Sequence, residues 1–318
     1  MKIRLSREIN LNFINRGYWF LGGAFLTIAI AIAALAILRL NLGIDFTSGT
    51  SFDVRFENDP GTEIVREALS SAGHDDAIVQ KAGGTRYFIR TRDLGAAGLS
   101  DIQDAFEKVV RIDFSIPSTT SVGQSVAENT VRNAIIAVLV AAAFVMVYVM
   151  YAFRTIPGSP KYAVAAIIAL CHDVLVVLGL FAVLGAAINA EVNAIFVVGI
   201  LTVIGYSVHD TIVIFDRIRE NVALVPTRPF ANSVNISITE SISRSLTTSI
   251  TTAAVIIAML LFGGATLRDF LIVLLAGVIV GTYSSLFLAA QLLVIWDAKG
   301  FGWLAFWRRG SNRVSERA

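Results

Sequence analysis

Residues 194–215, AIFVVGILTVIGYSVHDTIVIF, decide how this chain is read. The run is long enough to cross a bilayer, which takes about 20 apolar residues as a helix, and it carries Asp210. The next apolar stretch, SISRSLTTSITTAAVIIAML, opens with Arg244. A charge placed in hydrocarbon costs about 2.5–3.5 kcal/mol on insertion scales. Such a group persists where it pairs, meets water or moves protons. An ion-coupled membrane machine is therefore the first expectation.

Working outward, five further segments have the same character: 18–38, 132–152, 162–184, 244–262 and 270–296. Charged residues make up 16% of the 318 residues and apolar ones 55%, with a mean hydropathy of +0.70. Soluble domains carry about 25% charged residues, so the chain reads as a polytopic membrane protein. A net charge of +2 is not the signature of a nucleic-acid binder. The lone Cys171 excludes an intrachain disulfide and is expected to be a buried, inert thiol. The basic N-terminus precedes an apolar stretch longer than the roughly 7–15 residues of a signal-peptide core, so residues 18–38 are expected to be an uncleaved first span.

Lys and Arg in short loops orient the spans. Lys2, Arg4, Arg7 and Arg16 lie before the first span, and Arg154 and Lys161 between the second and third. Arg217, Arg219 and Arg228 lie between the fourth and fifth, and Lys299, Arg308, Arg309, Arg313 and Arg317 after the sixth. The opposite loops hold only Arg268. Both tails, 1–17 and 297–318, are therefore expected to be cytoplasmic, and residues 39–131 to form a periplasmic domain followed by five spans over 132–296. Between positions 40 and 130 there are 14 acidic and 8 basic residues, a mildly anionic balance.

That domain reads as mixed α/β. Residues 50–56 alternate as a strand, 62–72 have helical spacing ending at Gly73, 85–90 alternate again, 99–110 read as a helix and 111–118 as a further strand. The βαββαβ order suggests a small ferredoxin-like sandwich. It holds no nucleophile–base pair and no metal-ligand cluster, so neither an enzyme nor a cofactor or metal is expected.

In the fourth span Gly199, Thr202, Tyr206 and Asp210 share a helix face. Either this is a helix–helix interface with one paired acid, or Asp210 titrates. Arg244, Thr248 and Thr251 share a face of the fifth span, and two antiparallel spans place Asp210 and Arg244 at similar depth. Arg244 either pairs with Asp210 or snorkels to the interface. An adjacent Arg⁺ favours ionised Asp and desolvation opposes it, so such a pair is a two-state element. His172 and Asp173, near mid-span, are relay or structural residues; His209, beside Asp210, is a packing residue or a shuttle. Asp216, Arg217, Arg219 and Glu220 read as interfacial anchors. Gly277 and Gly281 form a GxxxG close-packing motif.

The stretch 205–221, GYSVHDTIVIFDRIREN, resembles the signature of the SecF family, the membrane subunits that work with SecD in protein export. GIDFTSGT at 43–50 is similar to that family's GIDFTGG motif, LCHDV at 170–174 to its third-span HD motif, and SRSLTTS at 243–249 to its SRSLxTS motif. The resemblance implies an RND-superfamily fold pseudo-symmetric with SecD, association with the SecYEG channel and with YajC, and export of unfolded polypeptide driven by the proton-motive force at the bacterial inner membrane. It carries the proton-pathway roles onto Asp210 and Arg244. Ser48 stands where the family motif has glycine, and His209 where asparagine is expected. Asp45, Phe46 and Gly49 read as a turn or hinge where the chain leaves the membrane, with Asp45 and Ser48 able to cap it and Gly49 able to supply positive φ.

Overall fold

The computed structural model describes residues 13–299 apart from positions 15, 82, 93, 95–97, 111, 155–157 and 265–266. The basic positions 2, 4, 7, 308, 309, 313 and 317 lie outside the described residues. Six helices are long and apolar enough to cross a membrane: α1 (Gly17–Leu38), α5 (Gln124–Ala152), α6 (Ser159–Ile188), α7 (Ala194–Leu224), α8 (Phe230–Phe262) and the run Arg268–Asp297. The last comprises α9 (Arg268–Tyr283), a π-helical turn (Ser284–Ala289) and α10 (Ala290–Lys299). The helices outrun the apolar windows because polar sequence at their ends keeps helical backbone bonds. α8 starts at Phe230, fourteen residues before Arg244, with Ser233, Ser237 and Ser241 all turned inward.

Between α1 and α5 sits the α/β domain. A single turn, α2 (Ile44–Thr47), leads into β1 (Gly49–Phe56), α3 (Thr62–Ser71), β2 (Ile78–Lys81), β3 (Arg86–Thr91), α4 (Gly98–Ala105) with a π turn to Val110, and β4 (Phe114–Val122). The sheet is antiparallel in the order β2-β3-β1-β4, the ferredoxin-like arrangement that the βαββαβ succession implies. Four-residue β2 is the strand that period-two patterning did not locate. β1 pairs on both sides, Val54 against Tyr87 of β3 and Phe52 against Thr119 of β4, with an irregularity between Asp53 and Arg55. Central position explains why β1 buries both faces. Phe52, Val54 and Phe56 meet Val65, Leu69, Ile102 and Phe106, while Asp53 is neutralised by Arg86 through a bond of 3.1 Å from Nε. α3 ends as expected at Gly73, whose φ of 83° follows Ala72.

The helical core is built on small-residue contacts. A Cβ on Gly277 of α9 would stand 2.0 Å from Cγ2 of Val203, and one on Gly281 3.0 Å from Cβ of Ser207, so the GxxxG packs α9 against α7. A Cβ on Gly179 would lie 2.5 Å from Ala31, which sets the α1–α6 crossing equally tight. With no hydrophobic drive between helices in lipid, close backbone approach supplies the dispersion contacts. α5 is almost wholly outside this core; only Ala127 and Val149 are buried along it. Cys171 corrects an expectation: it is exposed, on the outer side of α6, because its neighbours Leu170, His172 and Asp173 take the inward positions.

Candidate functional site

Two polar networks run through the bundle. The first surrounds Asp210 on α7. Its Oδ1 accepts a 2.6 Å hydrogen bond from Oγ of Ser245 on α8, and its Oδ2 is buried without a hydrogen-bond partner among the described residues. One helical turn further along α8, Ser249 meets the hydroxyl of Tyr206 at 3.0 Å and Oγ1 of Thr282 on α9 at 2.5 Å. Tyr206 and Asp210 thus do share a face, and that face looks at α8 and α9.

Arg244 is not part of it. Its side chain is exposed, and among the described residues it forms no ion pair with Asp210. The expected Asp210–Arg244 contact is therefore corrected. Successive residues on a helix are turned about 100° apart. Because Ser245 points at Asp210, Arg244 must look elsewhere. Thr248 is exposed as well, its hydroxyl returned to the carbonyl of Arg244 at 3.0 Å, and His209 faces outward. All three side chains lie on the outer surface of α7 and α8.

The second network centres on Asp173, which is 1% exposed. Its Oδ2 accepts from Ser207 of α7 at 2.5 Å and from Ser284 at 2.8 Å; its Oδ1 lies 3.0 Å from Nδ1 of His172. The Nε2 of His172 in turn lies 3.1 Å from Oγ1 of Thr27 on α1. A carboxylate this deep is tolerable only when fully hydrogen-bonded, and here both oxygens are served. The π turn matters: its wider turn lets Ser284 and Ser285 both face inward, the latter bonding Thr211 at 2.7 Å. No hydrogen bond links this network to the Asp210 network among the described residues.

Past the end of the polar core, Arg217 binds Glu220 on its own helix and Glu240 on α8, at 2.7 Å from Nε, while Arg219 binds Asp216 at 2.5 Å. Asn221 adds bonds of 2.9 Å to both Ser237 and Glu240. The cluster clamps α7 to α8.

At the opposite end of α7, Asp45 does something the sequence did not suggest. Rather than capping its own turn, its Oδ2 accepts from the backbone N–H of Ala194 at 2.8 Å, and Asn193 caps the same helix through Phe196 N–H at 2.9 Å. Phe46 packs against the apolar cluster that α6, α7 and Val273 of α9 form. Gly49 adopts φ 134°, and a Cβ there would stand 2.5 Å from the carbonyl oxygen of Thr91. Ser48 itself sits at φ 60°, the conformation in which glycine is favoured. Sequence reasoning overlooked Ser245, Ser249, Ser207, Ser284 and Thr282. Their only signal is helical spacing opposite the two acids, visible once the pairing of helices is known.

A six-span bundle with a half-buried acid in the fourth span and a ferredoxin-like domain after the first defines a polytopic membrane protein. The chain belongs to the SecD/SecF family: residues 101–299 match the model for the C-terminal part of the protein export membrane proteins SecD/SecF, and residues 33–60 match the SecD/SecF GG motif. It is 38% identical to protein translocase subunit SecF of Thermobaculum terrenum, over 84% of this chain and 88% of that one. It is 35% identical to the SecF subunit of Anaerolinea thermophila, over 96% and 99%. The crystal structure of SecDF from Thermus thermophilus, described as translocon-associated, superposes with a TM-score of 0.82 at 32% identity, covering 93% of this chain and 40% of that one. These relatives make the chain a subunit of Sec protein translocation.

Proposed function

We propose that this subunit works with SecD to assist late export of unfolded polypeptides through the SecYEG channel, with YajC as an accessory, using the proton-motive force across the bacterial inner membrane. The chain is oriented with tails 1–17 and 297–318 in the cytoplasm and residues 39–131 in the periplasm, as its short-loop basic residues indicate. The observation that carries the reading is the Asp210 carboxylate, held by Ser245 through one oxygen and left without a partner at the other, inside a bundle. That open oxygen is the place where the proton of the proposed cycle would be taken up.

Arg244 enters through a partner. An exposed guanidinium in a span is costly in lipid, and Thr248 on the same helix and His209 on α7 are exposed as well. SecD, fused to the equivalent region in the SecDF relatives of Thermus thermophilus and Bacillus subtilis, is the protein that covers this outer surface. His172, Asp173 and Thr27 form a second polar path, with a structural role while every member is bonded. The protein acts by transport and not as an enzyme.

The test is proton flux and export in vesicles reconstituted with the complex, comparing wild type with Asp210→Asn. Loss of proton-dependent export with the complex still assembled supports coupling; normal export removes Asp210 from the role. The alternative is a non-conducting scaffold, in which the polar groups only fix helix packing. It predicts that Asp210→Asn or Arg244→Gln dissociates the partners, which a pull-down reads directly.

A further inference from the structure

Where the α/β domain meets the bundle, the contacts are polar and specific. Strand β3 presents Arg90, and the loop between α6 and α7 presents Glu191; Nη1 of Arg90 lies 3.2 Å from Oε1 of Glu191. Both side chains are nearly enclosed, 13% and 12% exposed. The contact is a charge contact without hydrogen-bond alignment, since Oε1 has no hydrogen-bond partner. Arg90 spends its remaining N–H groups on the chain just after α1, bonding the Leu42 carbonyl at 2.6 Å and Oδ1 of Asn41 at 3.2 Å. One guanidinium therefore ties the sheet, the exit from α1 and the entry to α7 together.

The surroundings show that this junction is built tight. Leu42 and Val192 form a parallel bridge, with bonds of 2.8 Å from Gly43 N–H to the Val192 carbonyl and from Val192 N–H to the Asn41 carbonyl. A side chain on Gly43 would begin 3.3 Å from Oε2 of Glu191 and 3.2 Å from Cβ of Asn193. Three residues beyond Glu191 the α7 helix begins, and Asp45 accepts its first N–H, that of Ala194.

We propose that the Arg90–Glu191 pair is a latch, released by acid, that fixes the α/β domain to the start of the helix carrying Asp210. Three charged groups face Glu191. Arg90 comes from β3, Asp269 from α9, whose Oδ2 accepts the Glu191 N–H at 3.3 Å, and Asp45 from α2. Burial pushes the Glu191 carboxyl above the usual carboxylate range; Arg90 opposes this, and the Asp269 and Asp45 charges add to it. The sign follows directly. The attraction to Arg90 is present while Glu191 is ionised and is lost as pH falls through its raised pKa. With Glu191 neutral, the charge contact to the start of α7 is gone, and the domain keeps the hydrogen bonds of Arg90 to Leu42 and Asn41 and that from Gln80 to the Asn189 carbonyl at 2.6 Å. The latch does not depend on proton transfer at Asp210, and its readout is a distance.

The experiment places spin labels at Glu67→Cys on α3 and Ala187→Cys at the end of α6, in a Cys171→Ala background of the full chain in lipid nanodiscs. Double electron–electron resonance then gives the domain-to-bundle distance at a series of pH values stepped from alkaline to acidic. We expect one narrow distribution at the alkaline end that broadens reversibly on acidification. Glu191→Gln should be broad at both ends. Asp269→Asn, which keeps an acceptor for the Glu191 N–H but removes a neighbouring negative charge, should move the broadening to lower pH. A wild-type distribution independent of pH, or a Glu191→Gln distribution matching wild type at the alkaline end, overturns the latch. Should Glu191→Gln not fold, the wild-type series and Asp269→Asn decide it alone.

Discussion

Ser245 donates its hydroxyl to Asp210 across 2.6 Å, from α8 to α7. That contact takes the place of the ion pair that adjacent acidic and basic spans suggest. It also explains where Arg244 points, since a helix cannot aim two successive side chains at one target. The hydroxyl meets only one of the two carboxylate oxygens and leaves Oδ2 without a hydrogen-bond partner among the described residues. A bidentate Asp–Arg pair would instead occupy both oxygens.

Asp173 should behave differently. Its two oxygens are met by Ser207, Ser284 and His172. Removing the carboxylate strands three buried polar groups, and breaking such a network costs about 3–5 kcal/mol. Asp173→Ala is expected to lower the unfolding midpoint in detergent markedly, with Asp173→Asn intermediate because the amide still accepts. Thermal unfolding followed by fluorescence checks this; an unchanged midpoint for Asp173→Ala would refute it.

The α7–α9 seam gives a packing prediction. Gly277→Ala places a methyl within 2.0 Å of Val203 Cγ2, and Val is stiff at χ1. Overpacking of this kind costs about 1–3 kcal/mol. Val203→Ala in the same chain should recover part of it, so that the double variant is more stable than the sum of the singles predicts. Additive losses in denaturant titrations would show that the contact relaxes freely.

Ser48 holds φ 60° with ψ 165°, a region that glycine occupies without penalty and that costs other residues about 1–3 kcal/mol. Ser48→Gly is expected to raise stability by about 1 kcal/mol after the added freedom of the unfolded chain is set against the relieved strain. A thermal midpoint at or below wild type would count against the strain. The difference from the GIDFTGG pattern is therefore a local cost at the turn where α2 hands over to β1.

In the α/β domain Asp59 accepts from Lys81 and from the Tyr87 hydroxyl. Those donors hold its pKa down near about 2, while burial first and then Asp59 push Tyr87 up to about 12. A depressed folded-state pKa contributes stability above the unfolded value of 3.8 that disappears as pH falls toward about 2. A carboxyl-resolved NMR titration should find Asp59 ionised throughout the range where ordinary aspartates titrate, and Lys81→Met should move its midpoint up toward the unfolded value. A wild-type midpoint near 3.8 contradicts the assignment.

Much of the fold was legible because its signals are local. Apolar runs of bilayer length mark the six helices, alternation marks β1 and β3, and Gly73 marks the end of α3. Strand β2 escaped because four residues carry too little pattern, and its place at the sheet edge is set by pairing with β3. The inward serines and threonines were unreadable for a related reason: a hydroxyl in an apolar helix is equally consistent with bonding back to its own carbonyl, as Thr202 does to Val198 at 2.8 Å.

The sequence alone determined that this chain has six spans, carries a ferredoxin-like domain after the first and places acids within the spans at positions 173 and 210. Composition and periodicity suffice for that, since burial of apolar surface and satisfaction of backbone groups depend on neighbours along the chain. Only the tertiary structure decided the partners. Asp210 met Ser245 and not Arg244, Cys171 turned outward, and Asp45 reached 149 residues ahead to cap α7. Those outcomes depend on the rotation of each helix about its own axis. Gly277, Gly281 and Gly179 set that rotation through close backbone contacts that no single segment encodes.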